Sequence, residues 1–120
     1  MQIDERRRGD VFVLDLHGRL TGGDGEALIK DTVRRLATQG AQKVVLNFAD
    51  VAYMDSVGVS TIVRSHLALR QGGGQLKLLH LPRRIAVLFA VTGLTAVFEM
   101  FERESDVIAS FDGPQSTSDR

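Results

Sequence analysis

The pattern of apolar residues changes from that of a strand to that of a helix within the segment Val51-Ala-Tyr-Met-Asp-Ser-Val-Gly-Val-Ser60. The preceding run Val44-Val-Leu-Asn-Phe48 is largely apolar and too short for a helix, which indicates a strand buried on both faces. After Ser56, residues recur at spacings of three and four, as on one face of an amphipathic helix. They are Val59, Ile62, Val63, His66, Leu67 and Arg70. The sequence therefore predicts a helix that begins near Ser56.

Asp55 and Ser56 are the candidates for the N-cap of this helix. A helix start leaves backbone N–H groups unpaired and carries a partial positive charge, so a small side chain with an oxygen is stabilising there. A phosphate group is stabilised at such a position more strongly. Ser56 is therefore a candidate phosphorylation switch. The simpler interpretation is that Asp55 or Ser56 only caps the helix, which contributes about 1 kcal/mol.

The segment Tyr53-Met-Asp-Ser-Val-Gly-Val59 resembles the signature of STAS domains, the bacterial anti-sigma factor antagonists. The similarity continues in the family's order through residues 11–20, 43–48, 72–79 and 85–94, and it covers residues 9–111. In that family the serine directly after the aspartate is the phosphoacceptor. The resemblance therefore implies that Ser56 is phosphorylated.

The resemblance also implies a function and its partners. An unphosphorylated protein of this kind binds a serine-kinase anti-sigma factor and so releases the sigma factor, and phosphorylation ends the binding. A serine phosphatase is a further expected partner, and neither a cofactor nor catalytic activity is expected. The residues expected to bind the partner are Thr21, Gly22, Asp24, Asp55, Val57, Gly58, Val59 and Ser60.

This chain departs from the family pattern at three places. Val57 stands where a serine, threonine or alanine often follows the phosphoacceptor, and Val59-Ser60 stands where Leu-Gly is usual. Thr21 occupies a position where aspartate is common. The first two departures change the surface beside Ser56 without removing the hydroxyl, and the third affects how a partner or kinase is recognised.

Two other classes of function remain open from the sequence. The chain could serve as a non-phosphorylated interaction module of a transporter assembly or a stress-sensing complex, in which Ser56 is only a contact residue. It could instead bind a nucleotide through the glycine-rich segment Leu20-Thr-Gly-Gly-Asp-Gly-Glu26. That segment lacks the Gly-Lys-Ser/Thr ending of a P-loop. It is better interpreted as a plain loop that leads into a helix capped by Asp24.

Composition limits the functional classes further. The fifteen basic and fifteen acidic residues are interspersed, which argues against nucleic acid as a partner. The chain has no cysteine, and its three histidines lack the spacing of metal ligands. Its longest apolar run, residues 85–91, is far below the roughly 18 residues that a membrane span needs. We expect a cytoplasmic protein that does not insert into a membrane and is monomeric when free.

The remaining periodicity predicts the other elements. A strand from Val11 is expected to end at His17-Gly18, and a helix over 26–39 is expected to bury Ala27, Leu28, Val33, Leu36 and Ala37. Further elements are a strand at 75–81, a helix at 83–90 after Pro82, a short strand at 97–101 and a helix at 104–111. Arg6-Arg-Arg8 is expected to lie in a solvated N-terminal stretch, and residues 112–120 in a disordered tail.

This alternation of strands and helices predicts an α/β fold with a STAS-like, mixed, mainly parallel sheet of four to five strands packed against about four helices. Residues 1–111 are expected to form one domain. In sheets of this kind, functional sites gather where strands end and helices begin. Ser56 lies at such a place.

Overall fold

Five strands form a single sheet in the computed structural model, which describes residues 1–112. The strands lie side by side in the order in which they occur along the chain. The elements are β1 (Gln2–Arg8), β2 (Val11–Leu20), α1 (Asp24–Thr38), β3 (Lys43–Met54), α2 (Ser56–Gln71), β4 (Gln75–Leu79), α3 (Arg83–Val91), a 3-10 turn (Leu94–Ala96), β5 (Met100–Phe101) and α4 (Glu104–Ser110). Residues 113–120 of the predicted tail lie outside the described residues.

The predicted fold class is confirmed. β1 pairs antiparallel with β2 through a tight connection, whereas the pairs β2–β3, β3–β4 and β4–β5 are all parallel. Parallel strands need a crossover connection, and α1, α2 and α3 supply the three crossovers. Among the described residues, no helix is both long and apolar enough to cross a membrane.

The core has two parts, one on each face of the sheet. Leu14, Leu46 and Leu78 are in register across β2, β3 and β4, and they belong to the larger part, which α1, α2 and α3 cover. Val13 and Val45 point to the other face, where they pack with α4. Because both faces are covered, the central strands are apolar almost throughout, as the run from Val44 predicted.

The N-terminal residues form an edge strand, which the sequence did not predict; most of it is exposed, as expected for the stretch Arg6-Arg-Arg8, and Arg6 is half-buried. The Arg6 guanidinium lies 2.6 Å from the Asp15 carboxylate on β2 and 2.6 Å from Glu104 at the start of α4. Arg8 also pairs with Glu104, and Asn47 donates a hydrogen bond to Asp15 over 2.8 Å. Polar side chains hold this edge strand, so an apolar pattern could not reveal it.

The buried faces of the helices differ in part from those predicted. In α1, Ile29 is buried while Ala27 is exposed. In α2, Leu67 is 54% exposed, so it lies outside the core. Thr61 and Ser65 are buried instead, and their hydroxyls donate hydrogen bonds to backbone carbonyls one turn earlier. These internal bonds allow hydroxyls to face the core, because they leave no unpaired donor.

The bounds of four strands also differ from the prediction, since β3 runs on from Phe48 to Met54 and three others change as follows. β2 continues to Leu20, since β3 accompanies it there in an irregular register. β4 ends at Leu79, because His80 takes a left-handed conformation with φ 56° that breaks the strand. β5 is limited to Met100–Phe101. Phe98, which was expected in that strand, instead packs edge-on against Phe89 with ring centroids 5.8 Å apart.

Ile62→Asp should unfold the protein. Ile62 is fully buried in the larger part of the core, and an unpaired carboxylate there costs several kcal/mol. Leu67→Asp is the matched control on the same helix, and it should change the melting temperature by a few degrees at most, because Leu67 is exposed. Thermal unfolding followed by circular dichroism measures both. An equal decrease of the melting temperature in the two variants would contradict the observed orientation of α2.

Glu104→Gln should be less stable than wild type at neutral pH, and this difference in stability should disappear in acid. Hydrogen bonds from Arg6, opposed by burial and aided by Arg8, lower the pKa of Glu104 from 4.5 to about 2. Because the pKa of Glu104 is lower in the folded state than in the unfolded state, its ionised carboxylate stabilises the folded protein at pH values above 4.5. This stabilisation is lost as the pH falls from 4.5 to about 2.

Melting temperatures at a series of pH values measure this effect, with Asp106→Asn as a control in the same helical turn. Asp106 is exposed and has no ion pair among residues 1–112. The stability gap between wild type and Glu104→Gln should shrink as the pH falls towards 2. A gap that stays constant would show that the ionised carboxylate is not its source.

Candidate functional site

The start of α2 is built around Asp55. Asp55 has extended backbone angles and is the N-cap, and its Oδ1 accepts a hydrogen bond from the Gly58 N–H over 3.1 Å. Ser56 is the first helical residue, and its side chain is exposed. The prediction of a helix that begins near Ser56 is confirmed. Because Asp55 supplies the cap, the Ser56 hydroxyl lies at the positive end of the helix without a capping role.

The end of β2 lies directly against this helix start. The Asp55 N–H donates to the Leu20 carbonyl over 3.4 Å. A Cβ atom on Gly58 would lie 2.4 Å from the same carbonyl oxygen and 2.7 Å from Cγ of Met54. Real Cβ atoms essentially never come so close to other atoms, so only glycine fits at this point. The close packing brings the loop after β2 to the side of Ser56.

That loop lies beside Val57 of α2. A Cβ on Gly22 would meet Cγ1 of Val57 at 3.6 Å, an ordinary van der Waals distance. Thr21 is half-buried and donates a long hydrogen bond to the Gly22 carbonyl, while Asp24 is exposed. The structure therefore brings the glycine-rich loop and the start of α2 together.

Four of the eight predicted binding residues and the predicted phosphoacceptor Ser56 are exposed here, and Thr21 and Asp55 are half-buried. We use the name Ser56 surface for the five exposed residues Gly22, Asp24, Ser56, Val57 and Ser60. Val57 is 40% exposed and supplies an apolar contact at its centre.

Three details of the predicted site need correction. Gly58 and Val59 are buried, and Val59 is only 6% exposed because it packs in the core. Their burial leaves them little surface to offer to a partner. Asp24 is the first residue of α1 and does not cap it, since Gly23 is the N-cap and no side chain bonds there. Its carboxylate faces the positive end of α1 without a direct cap hydrogen bond.

Sequence reasoning missed two neighbours of this site. Tyr53, at the end of β3, is 37% exposed, and the Arg19 guanidinium lies 4.6 Å from its ring centroid. Tyrosine and arginine are enriched among residues that carry binding energy in protein interfaces. The sequence does contain a signal for Tyr53: it is an aromatic residue that follows the apolar run of the buried strand, where a core residue is no longer expected.

The site offers binding groups and a hydroxyl that a kinase could reach. No group of three or more His, Asp or Glu side chains within residues 1–112 is arranged to hold a metal ion. His66, on the inward side of α2, packs edge-on against Phe98 at 5.0 Å, and burial lowers the pKa of its imidazole. The arrangement suits recognition by a protein partner and charge addition at Ser56.

Comparisons with known proteins agree with this description. The family model for the STAS domain matches residues 2–107. The anti-sigma-B factor antagonist of Bacillus subtilis (strain 168) is 34% identical over 73 residues, which are 61% of this chain and 66% of that protein. The chain thus spans just under two thirds of this relative's length.

Solved structures share the fold. A crystal structure from Thermotoga maritima, described as a candidate anti-sigma factor antagonist, superposes with a TM-score of 0.83 at 20% identity and covers 90% of this chain and 92% of that one. The Bacillus cell fate determinant SpoIIAA in its phosphorylated form gives a TM-score of 0.72 at 22% identity, over 92% of this chain and 99% of that one. At these identities the likeness concerns the fold alone.

Gly58→Ala should destabilise the protein by about 1–2 kcal/mol net, because the clash with the Leu20 carbonyl outweighs the gain in helix propensity. Gly22→Ala is the control, since its Cβ would meet only Val57 at an ordinary distance. Urea unfolding gives both free energies. A Gly58→Ala protein as stable as wild type would mean that β2 and α2 are farther apart than described.

Proposed function

The chain belongs to the STAS domain family, and from this premise we propose that it acts as an anti-sigma factor antagonist controlled by phosphorylation of Ser56. The observation that carries the proposal is the exposed Ser56 hydroxyl, placed directly after the capping Asp55 and beside the glycine-rich loop. The name of the relative from Bacillus subtilis supports the same function.

In this proposal the unphosphorylated protein binds a serine-kinase anti-sigma factor through the Ser56 surface and so releases the sigma factor. Val57 and the neighbouring Tyr53 provide apolar area, while Asp24 and Ser60 provide polar contacts around it. Such an apolar centre with a polar rim is typical of protein interfaces. We place this activity in the cytoplasm, where transcription occurs, and expect the unbound protein to be a monomer.

Phosphorylation then ends the binding through charge. A phosphate adds about −1.5 to −2 charge beside the Asp55 carboxylate and the apolar Val57. Burying this dianion in an interface without a partner costs several kcal/mol, a large part of the roughly 8 kcal/mol of a micromolar complex. The fold tolerates the phosphate because it lies at the positive end of α2. A serine phosphatase would restore the binding form.

Other hydroxyls near the site are poorer acceptors. Thr61 is fully buried, and its hydroxyl donates to the Val57 carbonyl over 3.0 Å. Ser60 is exposed but lies a full turn inside α2, where a hydrogen-bonded backbone resists the extended conformation that a kinase active site requires. Ser56 is therefore the preferred acceptor.

Ser56→Ala and Ser56→Asp should separate function from folding. Both variants should keep their stability within about 0.5 kcal/mol, because Ser56 is exposed and Asp55 is the cap. Ser56→Ala should bind the anti-sigma factor regardless of ATP. Ser56→Asp should bind more weakly than wild type but more tightly than the phosphoprotein, since it supplies only about half the charge. Calorimetric titration measures these affinities.

Intact mass after incubation with ATP and the cognate serine-kinase anti-sigma factor identifies the acceptor. Wild type should gain one phosphate and Ser56→Ala none, with Ser60→Ala as the matched control that still gains one. A phosphate on Ser56→Ala would refute the assignment of the acceptor. A wild-type protein that binds its partner without being phosphorylated would favour the interaction module of a transporter or stress-sensing complex.

A further inference from the structure

β3 extends well beyond the strand beside it. β2 accompanies β3 as far as Met54, whereas β4 pairs with β3 only to the contact between Asn47 and Leu79. At His80 the left-handed backbone turns the chain away, and Pro82 then leads into α3. Among the described residues, no strand therefore pairs with the β4-facing edge of β3 over residues 48–54.

A groove runs between this open edge and α3. Its floor is formed by the buried Val51 and Ile85, and its sides by the exposed Ala49, Ala52 and Val87. These side chains are small or aliphatic, and along this stretch of β3 the Ala49 N–H already donates to Asn47 Oδ1 over 3.1 Å. Unpaired strand edges beside an apolar groove are sites where an extended segment can add as a further strand.

Two arginines give the rim of this groove a positive charge. Arg83 and Arg84 are exposed, occupy the first turn of α3 and form no ion pair within residues 1–112. Cations are unfavourable at the positive end of a helix, and this turn contains no acidic residue. Two acidic residues lie beside the groove: Asp50 pairs with His17 at 3.1 Å, and Glu102 lines an adjoining hollow that shares Ala49 and Pro82 with the groove.

We propose that the groove between β3 and α3 binds an extended segment of a protein partner that alternates apolar and acidic residues and adds as a strand to residues 48–54 of β3. Successive side chains of a strand point to opposite faces. Apolar ones can pack on Val51 and Ile85, while carboxylates reach Arg83 and Arg84 and form charge-assisted hydrogen bonds.

The inference rests on the proposed function in one respect, which is the identity of the partner. Residues 48–54 lead directly through Asp55 to Ser56, so a protein bound at the Ser56 surface is the one whose segment can reach the groove. The free edge and the two arginines together favour a peptide segment over a small anion, since a small anion cannot pair with several backbone groups of a strand.

A first experiment needs no natural partner. A short acetylated peptide of alternating valine and glutamate is titrated against the 15N-labelled protein, with a valine–lysine peptide as the control probe. Binding of the glutamate peptide should slow hydrogen exchange of amides within residues 48–54 and shift their NMR signals. Equal binding of both peptides, or protection confined to other residues, would overturn the proposal.

Charge reversal tests the role of the arginines. The double variant Arg83→Glu/Arg84→Glu should weaken binding of the glutamate peptide about tenfold and remain folded, because acidic residues suit the first turn of a helix. Arg103→Glu is the matched control, since Arg103 is an exposed arginine at the start of α4, outside the groove. Unchanged affinity of the double variant would overturn the proposal.

Binding and phosphorylation of the same variants by the serine-kinase anti-sigma factor distinguish the groove proposal from the proposed function. Phosphorylation of Ser56 together with an unchanged affinity of Arg83→Glu/Arg84→Glu would refute the groove and leave the proposed function standing. A kinase that neither binds nor phosphorylates wild type would refute the proposed function, and the peptide titration would then decide the groove by itself. Loss of affinity in the double variant without amide protection at 48–54 would refute strand addition.

Discussion

The contact between Gly58 and the Leu20 carbonyl is the constraint on which the arrangement around Ser56 depends. Any side chain at Gly58 would push α2 away from the end of β2. With glycine there, the Asp55 N–H reaches the same carbonyl, and the loop at Gly22 rests against Val57. Two segments that are more than thirty residues apart thereby form one surface.

Neighbouring residues of α2 differ in whether they face the core or the solvent. Gly58, Val59 and Ile62 face the core and fix the position of the helix, whereas Ser56 and Val57 face outward. A charge added at the outer residues meets solvent and the positive end of the helix, and it leaves the packing below unchanged. Under the proposed function, this separation allows phosphorylation to change binding while the domain stays folded.

Polar side chains hold the edge strand β1 against β2 and α4. Burial by itself would raise the pKa of Asp15, but hydrogen bonds from Arg6 and Asn47 outweigh it and lower that pKa. Arg6 also binds Glu104, so β1, β2 and α4 are joined through a single guanidinium. Such partly buried, bidentate pairs hold edge elements in place more effectively than isolated surface ion pairs.

The sequence by itself determined the α/β class, the buried strand from Val44 and the start of α2 at Ser56, because periodicity and capping depend on residues close together in the chain. Only the tertiary structure decided that β1 is a strand, that Leu67 is exposed, and that β3 extends beyond the end of β4. Each of these depends on residues far apart in sequence, as in the pairing of Arg6 with Glu104. A local pattern carries no information about such contacts.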